Sequence, residues 1–363
     1  MKILHIIDNM GIGGAQTILK GIFENYISNE NIYCYSLRNN KTEVKVNHPN
    51  VYSHVGYSKF NIRSLFELRT FVQDHDIDVL HYHLTKSMFF GYILKIVCFK
   101  NIKLIFHEHG MIFQNKVWYR HFLRNTQRNV ELYIAVSEAT KRLLNESAGI
   151  MENKIKVLYN FVNLNQFDSQ KFEINRLEER EKLGLNDDNF ILGFAGRHVE
   201  RKGCRDLIFG LKCLEQFKNI KLFIAGDGPK KEEYKNLANK LELDQNIFFL
   251  GFVPDIRWLY SIIDCFVIPS HWEPLGIVAL EAHAMGIPVI ASNIEGLNEV
   301  VLDKKTGLLF EPKNEKDLAK KIELMYNDKN LRIELIKNGL YEVKKYSLDN
   351  YLSTLGEIYD EHR

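Results

Sequence analysis

The chain has 363 residues, of which 45% are hydrophobic, and its formal net charge at pH 7 is +2. This length allows two domains that each bury a core, and the near-neutral charge argues for no nucleic-acid partner. The five cysteines show no C-x-x-C spacing, so they indicate neither a disulfide framework nor a zinc site. No run of about eighteen apolar residues occurs, and the first residues read as a strand rather than a signal peptide, which predicts a reduced, cytoplasmic chain that does not span a membrane.

The first predicted element is a buried strand from Ile3 that leads into a glycine-rich turn and then into a helical pattern. Such a turn brings backbone N–H groups and a helix N-terminus close to an anion, which favours a phosphate ligand. A dinucleotide fingerprint would need a third glycine where Gln16 stands and an acidic residue where Arg38 stands. A Walker A loop would need lysine after Gly14, where Ala15 stands. The turn is therefore predicted to face a phosphate of another kind or to be a purely structural turn.

Short apolar runs alternate with helical patterns along almost the whole chain, six runs in each half. Apolar strands separated by helices of crossover length predict α/β domains with doubly wound parallel sheets. The polar segment 163–189 separates the two series and is the best candidate for a domain boundary. We expect two Rossmann-like domains whose strand C-termini face a central cleft, where such sheets bind ligands.

A basic, aromatic helical pattern lies in the first half of the chain. Arg120, Arg124 and Arg128 recur every four residues and are interleaved with Trp118 and Tyr119. This face suits an acceptor with an anionic carrier or an anionic membrane surface. The alternative is an ordinary solvated helix face.

Two cations follow a strand in the second half, in the segment "AGRHVERKGCRDLI". Arg197 ends the strand, and Lys202 comes just before Gly203, where the next helix is predicted to start. Two cations at a strand end suit a diphosphate group, although both could also be solvated loop charges.

Two glutamates follow in "SHWEPLGIVALEAHAMGIPVIAS". Pro274 predicts the start of a helix that Gly286 ends, which places Glu273 just ahead of the helix and Glu281 two turns into it. Both carboxylates can then face an anion at the helix N-terminus and accept hydrogen bonds from ribose and sugar hydroxyls. For Glu281 alone, the alternative is compensation of the helix dipole.

These segments together resemble the retaining glycosyltransferases of family 4. "EPLGIVALE" resembles their E-x7-E motif and "RHVERK" their Arg-x4-Lys pair, while "AGDGP", "GFVPD" and "GLLF" follow in the family's order. The resemblance implies the GT-B architecture, with an N-terminal acceptor-binding domain at 1–165 and a C-terminal donor-binding domain at 166–345. It also implies that a C-terminal helix at 346–363 packs back on the first domain.

The resemblance assigns roles to individual residues. It implies that Arg197 and Lys202 bind the donor diphosphate, with backbone N–H groups contributed by Gly13 and Gly14 of "GIGGAQ". Glu281 would bind the ribose hydroxyls.

The resemblance also assigns roles in binding the sugar and the phosphate to residues around Glu273. The resemblance implies that Glu273 binds the transferred sugar, while Pro274, Leu275 and Gly276 supply the loop and helix start beside the phosphate. The segment "HEHG" resembles the family's strand-end histidine that contacts the donor sugar near the reacting carbon. We predict His109 for that role; a shift of the strand register would exchange it for His107.

The function implied is retaining transfer of a sugar from a UDP- or GDP-sugar to a glycan or lipid-linked acceptor in cell-surface polysaccharide synthesis. We expect a front-face mechanism in which Arg197, Lys202 and helix N–H groups stabilise the leaving diphosphate. No D-x-D motif occurs near a strand end, so we expect no metal and no other cofactor. The basic face suggests peripheral attachment to the cytoplasmic leaflet.

Two other functions stay open at this point. A nucleotide-sugar epimerase or a phosphorylase could share the fold, and the first would convert its substrate without an acceptor. A non-catalytic partner subunit could also keep the fold. The complete set of Arg197, Lys202, Glu273 and Glu281 argues against that last alternative.

Overall fold

A computed structural model gives the fold and describes residues 1–11, 13–25, 31–39, 46–54, 56, 62–99, 101–110, 116–172 and 176–362. The chain divides into two compact units, of which the first comprises Met1–Phe161 and Leu348–Arg363. The second comprises Val162–Ser347.

The first unit is built on a seven-stranded parallel sheet with the order β3-β2-β1-β4-β5-β6-β7. Its strands are β1 (Ile3–Ile7), β2 (Ile32–Ser36), β3 (Val51–Ser53), β4 (Val79–His83), β5 (Lys103–Glu108), β6 (Leu132–Ala135) and β7 (Ile155–Val157). Its helices are α1 (Gly14–Asn25), α2 (Ile62–Asp74), α3 (Thr85–Cys98), α4 (Val117–Thr126) and α5 (Glu138–Glu146).

The second unit is built on a six-stranded parallel sheet with the order β10-β9-β8-β11-β12-β13. Its strands are β8 (Phe190–Ala195), β9 (Ile220–Ala225), β10 (Ile247–Gly251), β11 (Cys265–Ile268), β12 (Val289–Ser292) and β13 (Gly307–Phe310). Its helices are α6 (Arg176–Lys182), α7 (Cys204–Lys212), α8 (Lys231–Lys240), α9 (Ile256–Ile262), α10 (Ile277–Ala284), α11 (Leu297–Val300), α12 (Glu315–Asn327) and α13 (Lys329–Glu342).

The last helix, α14 (Leu348–Glu361), belongs to the first unit although it follows the second in the chain. Its buried residues recur at helical spacing along one face: Leu348, Tyr351, Leu355, Ile358 and Tyr359. Burial of this apolar stripe stabilises the packing of α14 in the first unit, because transfer of each such side chain out of water contributes roughly 1.5–3 kcal/mol to stability. The predicted C-terminal helix that crosses back to the first domain is confirmed.

The two parallel sheets confirm the predicted α/β class, with one strand more than the twelve apolar runs. The additional strand, β3, has three residues and pairs with β2 at the edge of the first sheet. Such a short run has no recognisable periodicity. No helix within the described residues is both long and apolar enough to cross a membrane.

Candidate active site

Arg197 lies at the carboxyl end of β8, where the chain leaves the second sheet. Its side chain is exposed and makes no hydrogen bond or ion pair with the residues that the structure describes. The chain then forms a short 3-10 turn over Glu200–Lys202 and enters α7. The predicted strand–turn–helix around the two cations is therefore present.

Lys202 and Glu273 form an ion pair between two loops of the second unit. Lys202 Nζ donates to Glu273 Oε1, and the Ser270 hydroxyl donates to the same oxygen at 2.9 Å. Only 5% of Glu273 is exposed, so its charge depends on these two donors. The sequence assigned separate roles to Lys202 and Glu273, and the structure brings them into direct contact.

The loop that carries Glu273 is packed tightly against the 3-10 turn that carries Lys202. Gly203 has φ +67°, and a methyl group there would lie 1.8 Å from the carbonyl oxygen of Pro269. The backbone N–H of His271 donates to the Arg201 carbonyl at 2.8 Å. The His271 ring lies 2.7 Å from Asp206 Oδ2, which ties the same loop to α7. This packing fixes the position of the ion pair.

Helix α10 begins at Ile277, so the predicted start at Pro274 is wrong by three residues. The physical reason is Gly276, which has φ +89°, a conformation outside the helix that glycine adopts without strain. Gly276 contributes no capping side chain, and although the Ala279 N–H donates to the Gly276 carbonyl at 2.9 Å, the N–H groups of Ile277 and Val278 have no partner among the described residues and can face an anion. Leu275 is buried and anchors the loop in the core, whereas Pro274 is partly exposed.

Glu281 lies in the middle of α10 rather than beside a cation. The Tyr260 hydroxyl donates to its Oε2 at 3.0 Å. Removal from water raises the pKa of the Glu281 carboxyl to about 7, and the Tyr260 hydrogen bond offsets only part of that shift. The two glutamates of the motif thus have different environments, because Glu273 has a cationic partner and Glu281 has a neutral one.

The glycine turn of the first unit is held by side chains of its own segment. The backbone N–H of Gly11 donates to Asn9 Oδ1 at 2.9 Å, and Gln16 Nε2 donates to the Asn9 carbonyl at 3.1 Å. A methyl group on Gly13 would lie 2.6 Å from Gln16 Oε1. Gly14 opens α1, so its N–H is among those that the helix leaves unpaired. Ile12 of this turn lies outside the described residues.

A charged cluster that the sequence did not reveal lies at the end of β1. Arg38 Nη2 donates to Asp8 Oδ2 at 2.7 Å, and Lys86 Nζ donates to Asp8 Oδ1 at 2.9 Å. Burial opposes the charge of Asp8, but the bonds from Arg38 and Lys86 lower the pKa of that carboxyl below its usual value. These residues follow β1, β2 and β4, so only the order of the strands brings them together.

His107 and His109 differ in their position relative to β5. His107 lies within the strand and is fully buried, whereas His109 follows its last residue and is partly exposed. Two groups of three histidines bring ring nitrogens within 4.8 Å of one another, namely His5, His81 and His83, and His83, His107 and His109. Within the described part of the first unit, these two groups have the ligand atoms and spacing to be considered for a metal ion.

The predicted basic face on α4 is present only in part. Trp118 is 55% exposed and Arg124 is exposed, whereas Arg120 is partly exposed. Tyr119 was predicted on this face, but it is fully buried, where its hydroxyl donates to Glu108 Oε2 at 2.7 Å. Arg128 is exposed but lies beyond the last residue of α4.

Exposed apolar side chains on the neighbouring helix α3 were not recognised in the sequence. Four of them lie at helical spacing with exposed fractions from 40% to 72%: Phe89, Ile93, Ile96 and Val97. The rings of Phe89 and Phe122 lie 5.5 Å apart, which connects α3 to α4. A helical period of exposed apolar residues is the signal that could have found this face.

Two family models match separate parts of the chain. Residues 31–166 match Glycosyltransferase Family 4, and residues 175–340 match Glycosyl transferases group 1. The chain is 31% identical over 292 residues to an uncharacterized glycosyltransferase of Methanocaldococcus jannaschii, covering 78% of this chain and 75% of that protein. It is 27% identical over 376 residues to the capsular polysaccharide biosynthesis glycosyltransferase CapM of Staphylococcus aureus, covering 99% of this chain and 97% of CapM.

Solved structures share the fold. Anabaena HepE in complex with UDP superposes with a TM-score of 0.86 at 22% identity, over 99% of this chain and 100% of HepE. A glycosyltransferase from Rickettsia africae superposes with a TM-score of 0.83 at 21% identity, over 99% of this chain and 98% of that one. The sheets, the site segments and these similarities agree, and the chain belongs to the family 4, group 1 glycosyltransferases with the GT-B fold.

Proposed function

We propose that this glycosyltransferase transfers a sugar from a UDP- or GDP-sugar, with retention of configuration, to a glycan or lipid-linked acceptor in cell-surface polysaccharide synthesis. The observation that carries the proposal is Arg197, which is exposed, has no partner among the described residues, and lies on the same loop as Lys202 of the Lys202–Glu273 ion pair. HepE has been solved with UDP and with UDP-glucose, and CapM is a capsular polysaccharide enzyme by name, which supports the donor and acceptor classes.

The donor diphosphate binds to Arg197, Lys202 and the N-terminus of α10 in this proposal. Arg197 has no carboxylate partner among the described residues, so a phosphate does not need to displace one. Lys202 has three donors, and one is used by Glu273. Cations and uncapped N–H groups together stabilise the charge of a leaving diphosphate.

The sugar and the ribose bind to the two glutamates. Glu273 uses Oε1 for Lys202 and Ser270, and its Oε2 has no partner among the described residues, so it can accept from a sugar hydroxyl. Glu281 uses Oε2 for Tyr260 and can accept from the ribose diol through its other oxygen. Neither glutamate is proposed as a nucleophile, because both are assigned to hydroxyl binding.

The transfer proceeds on one face of the donor sugar in this proposal. The bond between the anomeric carbon and the leaving phosphate oxygen breaks while the acceptor oxygen forms the new glycosidic bond, and the phosphate oxygen takes the proton of the acceptor hydroxyl. The proposal therefore requires no carboxylate nucleophile and no metal. The backbone N–H groups of Gly13 and Gly14 contact the diphosphate in this proposal, and His109 contacts the donor sugar.

The test measures the binding of UDP-, GDP- and ADP-sugars to the wild type and to the Arg197→Ala variant. Calorimetry gives the unfolding midpoint and the affinity of each protein. We expect one nucleotide sugar to raise the unfolding midpoint, because a ligand of the folded state stabilises it. Loss of a charge-assisted bond to phosphate should weaken binding roughly 10-fold to 100-fold in Arg197→Ala.

The matched control is Lys240→Ala, which removes an exposed cation of the same unit at the end of α8. It should bind the donor like the wild type. No binding of any nucleotide sugar, or equal loss in both variants, would contradict the proposal. Conversion of the bound nucleotide sugar without an acceptor would identify an epimerase instead.

We also propose that α3 and α4 attach the protein peripherally to an anionic membrane surface. The exposed apolar residues of α3 can enter the headgroup region, and Lys116, Arg120, Arg124 and Arg128 beside them can contact lipid phosphates. Binding to vesicles of phosphatidylglycerol and phosphatidylcholine should fall several-fold in Val97→Ser, which removes a side chain that is 72% exposed.

Ile333→Ser is the control, since Ile333 is 55% exposed on α13 of the other unit. It should leave vesicle binding unchanged. Binding that survives both Val97→Ser and the combined replacement of Arg120, Arg124 and Arg128 would refute the attachment site.

A further inference from the structure

Five histidines come together in the core of the first unit. His5 lies on β1, His81 and His83 on β4, and His107 on β5, and these three strands are neighbours in the sheet. In the strand pairing His5 is opposite His81, and His83 is opposite His107. His109 follows directly after β5. The first four are fully buried, and desolvation lowers the pKa of all five imidazoles, so that they are neutral.

Hydrogen-bond distances join these rings and the Tyr359 hydroxyl of α14 into one continuous chain. Its five links are His109 Nε2 to His83 Nδ1 at 2.8 Å, His83 Nε2 to His5 Nδ1 at 2.9 Å, His5 Nε2 to the Tyr359 hydroxyl at 3.1 Å, Tyr359 to His81 Nδ1 at 2.6 Å, and His81 Nε2 to His107 Nδ1 at 3.2 Å. The two terminal nitrogens, His109 Nδ1 and His107 Nε2, have no partner among the described residues.

Every link between two rings joins an Nε2 to an Nδ1, and this has a consequence for the protons. A neutral imidazole carries one N–H, so a ring that accepts at one nitrogen must donate from the other. Rings linked in this way therefore share one tautomer. His109, His83 and His5 form one such set, and His81 and His107 form the other. The Tyr359 hydroxyl, with a single proton, connects the two sets.

The buried end of the chain selects the direction of the protons. Both terminal nitrogens, His107 Nε2 and His109 Nδ1, are buried without a partner among the described residues, but His107 lies fully buried within β5 whereas His109 is partly exposed beyond the end of the strand. A proton at the His109 end is therefore the one that an acceptor outside the core can approach, whereas an N–H at the His107 end would stay buried without an acceptor, which is rare in proteins. His107 then carries its proton on Nδ1 and donates to His81. His81 donates to Tyr359, Tyr359 donates to His5, and the same direction continues to His109.

We propose that this chain holds His109 in one neutral tautomer, with the proton on Nδ1 as a hydrogen-bond donor, and that His83, His5 and Tyr359 act as its positioning residues. All five rings carry their proton on Nδ1 in this arrangement. The part of the proposal that concerns catalysis rests on the proposed function, since the Nδ1–H of His109 would donate to an oxygen of the donor sugar. The tautomer itself does not depend on it.

A metal ion is the competing use of the same nitrogens. Two imidazole nitrogens on one tetrahedral Zn²⁺ lie about 3.3 Å apart, given Zn–N bonds of roughly 2.05 Å. Each of the two possible ligand groups contains a pair that is closer, His5 with His83 at 2.9 Å and His83 with His109 at 2.8 Å. Those distances fit a shared proton.

The experiment is nitrogen NMR at pH 7.5 on protein labelled with ¹⁵N-histidine, with signals assigned by single His→Gln substitutions. We expect all five rings to be protonated on Nδ1 and bare on Nε2, with nitrogen–nitrogen coupling across the three ring-to-ring hydrogen bonds. A protonated Nε2 on any of the five rings, or absence of all three couplings, would overturn the proposal. One equivalent of Zn²⁺ bound in the purified protein would overturn it as well.

Tyr359→Phe tests the transmission to His109. It removes the proton that keeps His5 Nε2 bare, so the signals of His109, two links further along, should move toward the average of two tautomers. Tyr351→Phe is the control on the same helix, because the Tyr351 hydroxyl is buried without a hydrogen-bond partner in the described part of the chain. It should leave the five rings unchanged.

An effect of both Tyr359→Phe and Tyr351→Phe on His109, or of neither, would count against the chain. These spectra need no substrate, so failure of the tautomer proposal is separate from failure of nucleotide-sugar binding. If both proposals hold, Tyr359→Phe should lower kcat while the donor affinity that depends on Arg197 stays unchanged.

Discussion

Two buried clusters, the histidines of the first unit and the Lys202–Glu273 pair of the second, lie in opposite electrostatic environments. In the first unit, five histidines are packed against one another with no counter-charge bonded to them in the described part of the chain, so they are neutral and share protons. In the second unit, Lys202 and Glu273 form an ion pair, and the Ser270 hydroxyl donates to the same carboxylate. The comparison shows that burial removes a charge when only like groups are near and keeps it when an opposite charge is within contact.

The largest expected effect comes from the neutral histidines. Their folded pKa values lie far below the usual 6.5, to about 3 for His5 and His109, so the unfolded chain binds more protons below pH 6.5. Stability is complete above pH 6.5 and is lost as the pH falls. Each ring contributes a slope of about 1.4 kcal/mol per pH unit, so all five together contribute about 7 kcal/mol per pH unit. We expect cooperative acid unfolding, measured by circular dichroism against pH and urea.

His107→Gln should lower the number of protons taken up on unfolding by about one. His121→Gln should leave that number unchanged, because His121 is exposed on α4. Equal slopes for both variants would mean that the cluster is not neutral.

The second prediction concerns the packing that positions the ion pair. Gly203→Ala places a methyl group 1.8 Å from the Pro269 carbonyl oxygen, so the loops must separate. We expect a loss of at least about 4 kcal/mol in the free energy of unfolding. Gly184→Ala is the control, because Gly184 has nearly the same φ, +70° against +67°, but nothing within 4 Å. It should cost about 1 kcal/mol in urea denaturation.

The third prediction breaks the ion pair itself. Lys202→Met leaves the Glu273 carboxylate buried without its cation and should cost about 3 kcal/mol. The double variant Lys202→Met with Glu273→Gln should recover most of that stability without recovering transfer activity. Lys212→Met, which breaks an exposed pair with Glu215, should leave the free energy of unfolding nearly unchanged, because water screens that pair. If Lys202→Met and Lys212→Met lost similar amounts of unfolding free energy, Glu273 would be well solvated.

The fourth prediction concerns the buried carboxyl of Glu108 in the first unit and its effect on stability as the pH rises. Burial raises the pKa of Glu108 to about 7, although hydrogen bonds from Tyr119 and the Gly110 N–H oppose the shift. A raised folded pKa contributes stability that is complete below the usual 4.5 and is lost as the pH rises toward 7. Between pH 5 and pH 8, the wild type should therefore lose up to about 3 kcal/mol relative to Glu108→Gln.

The control for this measurement is Glu146→Gln, since Glu146 is exposed at the end of α5. Its stability should follow the wild type at every pH. A Glu108→Gln variant that does the same would show that the carboxyl is ionised when buried.

Local sequence patterns were enough to predict the class of fold and the strand–loop–helix segments of the second unit. Buried parallel strands read as apolar runs, and Arg197, Lys202, Glu273 and Glu281 lie within short segments where local spacing and family resemblance are informative. The start of α10 was misplaced because proline signals a helix start, while the left-handed conformation of Gly276 is visible only in the backbone.

Contacts between side chains that are far apart in the sequence depend on the tertiary fold. Asp8, Arg38 and Lys86 lie on segments that follow different strands, and no local spacing connects them. His5 and Tyr359 are separated by 354 positions and still lie 3.1 Å apart, because α14 returns to the first unit. Tyr119 lies in a sequence pattern that predicted an exposed helix face, but its side chain is buried and its hydroxyl donates to Glu108 in the core. Local sequence encodes the periodicity of an element, whereas the protonation and partners of buried polar groups depend on which strands the sheet places side by side.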